Sequence, residues 1–426
     1  MRLPQEICDL IIDQLAEDNP TLCSCALVSK RWVHHSRVHL FRFIILGGKQ
    51  LQTWLDTFSP SDERIHSLAK GLILSPPANG APLSNFVRIA EYAPAFKNLE
   101  HFLLNGMDTL YQSQQFSFIR WFGHLRNTLK SLELCGTAVH PRIITAFPRL
   151  EYLLFQSCTL PSTDDPEDGD DIPEPSHDAL RGTLEFSVYS WDSEGGLFAV
   201  LSTYPLGYDT IKIDVKAVDG EMFPTDIINR LISCCSETLE VLDIKHRDDL
   251  LCKSGPARVR SYPPQLPLTI DAALDLSPFE RLREISLALN LDRNLRANLP
   301  RFSTITSGKV SKIAIEAKFN SRGKELFGLF GKGHEWTEID RDLLRLAESQ
   351  GGNNAQPVEL VIDLRQANVT SSRPNSQERK RFERNLWVER ASKRAFPGFS
   401  QTGKIDFVLP LPVSIPVPHF DIFTYI

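Results

Sequence analysis

Apolar positions along the chain follow two different periods. In the first forty-five residues they recur at helical spacing, and beyond Phe41 they gather into short runs that alternate along the chain. Ile7, Ile11 and Leu15 stand four residues apart with Leu10 beside them, which predicts one helix with an apolar stripe. Pro4 suits a first helical turn, and Glu6 and Asp9 complement the positive end of the helix dipole. Asn19-Pro20 reads as a cap followed by a first-turn proline, restarting the chain as a second helix with Leu22, Cys25, Ala26 and Val28. Ser29 then caps a third helix that contains Trp32 and runs to about His39.

A trio of this size lies near the limit at which a chain buries enough apolar surface to fold alone. Leu3, Ile7, Ile11, Leu15, Leu22, Val28 and Trp32 are more than it can hide internally. Something outside the trio must cover part of that surface: the region that follows, or a foreign polypeptide.

Past Phe41 the recurring unit is L-x-x-L-x-L. It occurs as Leu99-Phe102-Leu104, Leu129-Leu132-Leu134, Leu150-Leu153-Phe155, Leu239-Leu242-Ile244 and Leu282-Ile285-Leu287. Weaker copies lie near Ile44, Leu72, Leu184, Ile211, Ile313 and Leu360. The middle positions Leu72, Phe102, Leu132 and Leu153 are spaced 30, 30 and 21 residues apart, a period of stacked strand-plus-helix units that bury their apolar faces on one another. An ordinary α/β domain with several leucine-rich strands is the competing architecture.

Several segments interrupt the array. Residues 161–178 hold eight acids and no Lys or Arg, which predicts a solvated loop. Residues 253–268 and 350–357 read as further loops. Residues 376–396 read as an amphipathic, mixed-charge surface helix anchored by Phe382, Leu386 and Trp387. The ending from Val408 has prolines at 410, 412, 416 and 418, which forbid a central strand and predict an extended tail or edge segment. The expected organisation is therefore a helical unit at 1–45, an array at 46–370 with the acidic insert, and a terminal helix and tail at 371–426 packed on the array end.

Composition narrows the function classes. Lys plus Arg is 47 against 53 for Asp plus Glu, a net charge of −6, so neither nucleic acid nor an anionic membrane is an expected partner. Acids throughout the first eighteen residues exclude a signal peptide, and no apolar run reaches the length of a membrane helix. The expectation is a cytoplasmic or nuclear protein whose 8 cysteines are reduced thiols.

Catalytic signatures are wanting. Gly331-Lys332-Gly333 lacks the upstream glycine and following hydroxyl of a phosphate loop, and His334-Glu335 has no second histidine one turn later. His34, His35 and His39 stand beside Cys23 and Cys25, but the spacing fits no common zinc pattern and no supporting carboxylate is evident from sequence. No enzyme activity, metal or cofactor is expected.

The first segment resembles an F-box, in the variant common in fungal proteins. The matching residues are Leu3-Pro4, Glu6-Ile7, Ile11-Ile12-Asp13, Leu15, Thr21-Leu22, Cys25 through Lys30, Trp32 and His39-Leu40-Phe41. The motif begins almost at Met1, a departure from the family pattern that points to a short gene model or a minimal N-terminus. The remainder resembles an irregular leucine-rich repeat, so the implied fold is α/β: a three-helix F-box followed by a leucine-rich-repeat-like solenoid. The repeat's usual Asn or Cys, three positions after the last leucine, is met by Cys158 and replaced at Met107, Thr137 and Arg247, with Asn290 keeping an amide.

The resemblance implies a substrate-recognition subunit of an SCF-type cullin-RING ubiquitin ligase. Leu3, Pro4, Ile7, Ile11, Leu15, Leu22, Val28 and Trp32 would contact a Skp-type adaptor or hold the frame of that contact. An unknown target protein would lie on the solvent-facing strand positions between the repeat leucines: His101, Leu103, Ser131, Glu133, Tyr152, Leu154, Val241, Asp243, Glu284 and Ser286. Leu103, Tyr152 and Leu154 are expected to form an apolar patch. The alternatives are an interaction scaffold whose F-box acts outside ligase assembly, and an enzyme hidden in an irregular α/β domain.

Overall fold

The structure is a computed structural model that describes residues 4–75, 88–89, 91–106, 121–139, 143–160, 181–188, 191–204, 206–215, 225–246, 274–290, 302–318, 333–349, 358–363 and 395–408. The segments expected as an acidic insert (161–178) and as loops (253–268 and 350–357), residues 376–394 of the expected helix 376–396, and the chain from residue 409 fall outside the described residues.

Three helices open the chain: α1 (Gln5–Asp13), α2 (Asn19–Val28) and α3 (Lys30–Leu40). The cap of α2 is Asp18, one residue earlier than the sequence pattern implies. Its Oδ1 accepts from Thr21 N at 3.1 Å and its Oδ2 from Thr21 Oγ1 at 2.6 Å. These bonds hold the Asp18 carboxyl below its ordinary range. Pro4 likewise sits at the N-cap position of α1, and Ser29 precedes α3 in extended backbone without a side-chain cap bond. The trio buries Cys8, Ile12, Leu22 and Cys25. The stripe at Ile7 and Ile11 is thus not the inward side of α1: the chain is apolar on both sides of that helix, and Cys8 and Ile12 take the core.

Among the described residues twelve strands follow, organised in two compact units, Met1–Asp219 with Asp226–Leu239, and Gly220–Thr225 with Glu240–Ile426. In the first unit β1 (Phe43–Gly47), β2 (Gly71–Ser75), β3 (His101–Asn105), β4 (Ser131–Cys135), β5 (Tyr152–Gln156), β6 (Thr183–Val188) and β7 (Thr210–Val215) are parallel, each paired with its predecessor. In the second, β8 (Val241–His246), β9 (Glu284–Asn290), β10 (Lys312–Lys318), β11 (Glu359–Asp363) and β12 (Lys404–Val408) follow the same rule. Strands laid down in chain order with parallel neighbours are consistent with a solenoid-like α/β arrangement in each unit. Helices α4 (Gly48–Thr57), α5 (Glu63–His66), α6 (Ile143–Ala146), α7 (Trp191–Leu201) and α8 (Thr225–Ser233) punctuate the first unit, and α9 (Gly333–Ser349) and α10 (Phe399–Thr402) the second.

Register explains the leucines. Ile44, Leu72, Phe102, Leu132, Leu153, Leu184 and Ile211 form one cross-strand row, and Leu46, Leu74, Leu104, Leu134, Phe155, Phe186 and Ile213 the next. Every member of both rows is buried, each contributing roughly 1.5–3 kcal/mol by leaving water. The second unit repeats the device with Leu242, Ile285, Ile313 and Leu360 beside Ile244, Leu287, Ile315 and Ile362.

Strands β2, β3, β4 and β5 are entered in the same way. Arg42 O accepts the N–H groups of Lys70 and Gly71, Lys70 O those of Glu100 and His101, Glu100 O those of Lys130 and Ser131, and Lys130 O those of Glu151 and Tyr152. Glu240 and Arg283 carbonyls repeat this in the second unit. At the β6 entry the chain needs a glycine: Gly182 has φ +115°, and a Cβ there would lie 2.1 Å from Glu151 O.

After β5 the buried thiol of Cys158 donates to Leu134 O at 3.1 Å, while Thr159 N donates to Thr137 O. In the second unit the α9 carboxylate of Asp340 accepts Gly398 N and Phe399 N at 2.9 and 2.8 Å, which caps α10 and positions the approach to β12. All cysteines among the described residues are free thiols. No helix among the described residues is long and apolar enough to cross a membrane.

Candidate docking surfaces

Two surfaces bear on function, and both follow from side chains that the core leaves over. The first is on the helical trio. On α1, Ile7, Leu10 and Ile11 form one stripe at helical spacing and stay exposed, and at the end of α2 Leu27 and Val28 are 88% and 67% exposed. Of the residues expected to face an adaptor, Pro4, Ile7, Ile11 and Val28 are exposed, Leu15 and Trp32 are half-buried, and Leu22 is fully buried. Leu22 therefore holds the frame and Ile7, Ile11 and Val28 offer a contact. Leu3 lies outside the described residues. Leu10 and Leu27 belong to the same exposed set although neither is among the residues expected to face the adaptor; Leu10 is found by its helical spacing with Ile7, and Leu27 adjoins Val28 in the chain.

Behind this face the trio is tied by polar groups. Gln5 Nε2 donates to Arg31 O at 3.3 Å, and Asp13 at the end of α1 meets two histidines of α3. Asp13 Oδ1 lies 2.7 Å from His35 Nε2 and 2.8 Å from His39 Nε2, and these hydrogen bonds hold its carboxyl below the ordinary range. A carboxylate thus does stand beside the histidines, contrary to the expectation from spacing.

The second surface is the outward side of the strands. In the first unit one row runs Phe43, Gly71, His101, Ser131, Tyr152, Thr183, Thr210 and the next runs Ile45, Ile73, Leu103, Glu133, Leu154, Glu185, Lys212. His101 is exposed, and Leu103, Ser131, Glu133, Tyr152 and Leu154 are half-buried between neighbouring strands. The predicted patch of Leu103, Tyr152 and Leu154 is interrupted, because the register sets Glu133 between the two leucines and the Tyr152 hydroxyl donates to Glu185 Oε2 at 3.1 Å. The unbroken apolar stretch runs the other way, through Leu103, Ile73 and Ile45 to the exposed ring of Phe43. Phe43 lies over Gly71, where a Cβ would meet its ring at 2.3 Å, and its ring centroid is 6.2 Å from that of His101. Ile45 and Phe43 also border an open cleft of about 470 Å³ between β1 and α4, whose floor includes Trp54 and Phe58. The alternation that picks out Leu103 would pick out Phe43, Ile45 and Ile73 if applied to the weaker repeats.

Electrostatics separates the two units. Glu133 has no hydrogen-bond or ion-pair partner among the described residues, and burial, with Glu185 as a second cause, pushes its carboxyl above the ordinary range. Glu185 is shared between Tyr152 and Lys212, the latter at 3.9 Å. In the second unit Val241, Glu284, Lys312, Glu359 and Lys404 form the corresponding row. There Glu284 pairs with Lys312 at 3.6 Å and Glu359 with Lys404, while Asp243 pairs with Lys245 at 2.8 Å on its own strand. Val241, Asp243, Glu284 and Ser286 are all half-buried. That face neutralises itself; the face of the first unit keeps an unpaired carboxylate beside an apolar row.

No protein-family model matches this chain, and no curated protein matches it.

Proposed function

We propose that the chain is a substrate-recognition subunit of an SCF-type cullin-RING ubiquitin ligase. The helical trio docks on a Skp-type adaptor, which links it to the cullin, and the strand array holds a target protein. The observation that carries this reading is the apolar set Ile7, Leu10, Ile11, Leu27 and Val28, which stays exposed among the described residues. Full burial of such a side chain is worth roughly 1.5–3 kcal/mol, and a partner supplies the share of it that the fold leaves exposed.

The contribution to ubiquitin transfer is positional. A receptor that fixes a target beside the charged conjugating enzyme converts an encounter between two molecules into a local one, with no covalent step of its own. Among the strand faces, that of the first unit suits target contact best. Phe43, Ile45, Ile73 and Leu103 provide apolar area, and Glu133 favours a cationic side chain whose aliphatic stem rests on Leu103 or Leu154.

Co-purification of the tagged full chain with a Skp-type adaptor and cullin tests the proposal. Recovery of both, lost on Leu3→Ala with Pro4→Ala, is the expected result. Recovery of neither from the wild type overturns it.

A further inference from the structure

The contact between Asp13, His35 and His39 has the composition of a metal site. His35 and His39 are one helical turn apart on α3 and present their Nε2 atoms to one carboxylate oxygen. The three donor atoms lie within 4.8 Å of one another. The cluster is reachable from solvent, with the side chains of Asp13 and His35 44% and 28% exposed, while His39 is held more firmly at 12%. A second carboxylate stands behind the first: Asp9, one turn earlier on α1, has its Oδ1 3.9 Å from His35 Nδ1 and is itself fixed by Gln5 Nε2 at 2.7 Å. Metal-binding histidines characteristically give their other ring N–H to such a carboxylate, which sets the tautomer.

We propose that Asp13, His35 and His39 bind one divalent transition-metal ion of the zinc class, clasping the end of α1 to α3. Two imidazole nitrogens and one carboxylate oxygen are a donor set for Zn²⁺, Co²⁺, Ni²⁺ or Cu²⁺, with water completing the sphere. They are a poor set for Mg²⁺ or Ca²⁺, which take oxygen donors.

The adjustment required is small. Metal–ligand bonds of about 2.0–2.1 Å in tetrahedral geometry separate the donor atoms by about 3.3 Å. The present contacts of 2.7 and 2.8 Å therefore open by about half an ångström. Coordination through Nε2 leaves the imidazole proton on Nδ1, so binding exchanges two hydrogen bonds for three coordinate bonds. The site stands whether or not the trio docks on an adaptor. If it does, the metal fixes α1 against α3 and so fixes the frame that carries Ile7, Leu10 and Ile11.

Zn²⁺ titration of the chelator-treated full chain, followed by calorimetry, tests this, with Cu²⁺ paramagnetic resonance as a second measurement. One saturable site is expected in the wild type. It should weaken at least tenfold in His35→Gln and in Asp13→Asn, and be unchanged in His34→Gln and Cys23→Ser. Cu²⁺ at one equivalent should show two equatorial nitrogens, reduced to one in His35→Gln, a readout that uses wild type alone if a variant misfolds. No saturable Zn²⁺ binding, an unchanged affinity in folded His35→Gln, or a thiolate charge-transfer band in the Cu²⁺ form of the wild type would each overturn the assignment.

Discussion

Lys70 and Glu100 stand thirty residues apart in the chain and 2.6 Å apart in space, and Lys130 grips the other oxygen of the same carboxylate at 3.1 Å. This contact is the solenoid seen from its edge. Three successive strand entries place their charged residues one above another, so a carboxylate sits between two ammonium groups. Hydrogen bonds from Lys70 and Lys130 pull the Glu100 carboxyl down from 4.5 to about 2.

A pH dependence follows from that depression. A carboxyl lowered in the fold stabilises the protein above its unfolded value and loses that contribution as pH falls through the folded value. The window therefore runs from about pH 4.5 down to about pH 2. Both lysines are more than two-fifths exposed, so screening holds the contribution to about 1 kcal/mol or less. Urea unfolding of Glu100→Gln should show a loss of that size at pH 7, vanishing by pH 2.

Gly182→Ala is expected to be far more damaging than an ordinary surface substitution. The added Cβ would fall 2.1 Å from Glu151 O, and the left-handed backbone at φ +115° is itself costly for alanine. Strain and overpacking each cost about 1–3 kcal/mol, so the loss should exceed 2 kcal/mol. Denaturant midpoints measure it, with Gly123→Ala as the control, since nothing lies within 4 Å of a Cβ at that position.

Much of this architecture is legible in the amino-acid order, and the reasons are local. The leucines at Leu132 and Leu134 announce their burial by spacing alone, because a strand alternates its faces. Strand β12 escapes notice since KIDFV is short, lacks the leucine frame and adjoins prolines. The inward side of α1 is equally hidden: with Ile7, Ile11 and Ile12 all apolar, only packing on α3 selects Cys8 and Ile12. Pairings between distant residues are beyond any periodic reading. Asp13 meets His35 across 22 residues, and the isolation of Glu133 depends on which strand lies on each side of β4.

Glu133→Gln should raise stability at neutral pH. Burial raises the folded carboxyl above its unfolded value, so the charged form carries a penalty in the fold at pH values above the raised one. That penalty disappears as pH falls through the raised value toward the ordinary glutamate range. Thermal melts of the variant and wild type should differ at pH 7, with the variant higher, and converge near pH 4. The same substitution should weaken a bound target that presents a lysine or arginine.

The proposed docking depends on the exposed apolar side chains of the trio. Because Ile11 and Val28 are exposed, replacing both with aspartate leaves the core of Cys8, Ile12, Leu22 and Cys25 in place. The decisive measurement is the affinity of the full chain for a purified Skp-type adaptor, compared with that of the Ile11→Asp, Val28→Asp double variant at matched helical content. Saturable binding by the wild type, weakened at least a hundredfold in the variant, is the predicted result. Equal binding by the two proteins, or none by the wild type, would contradict it.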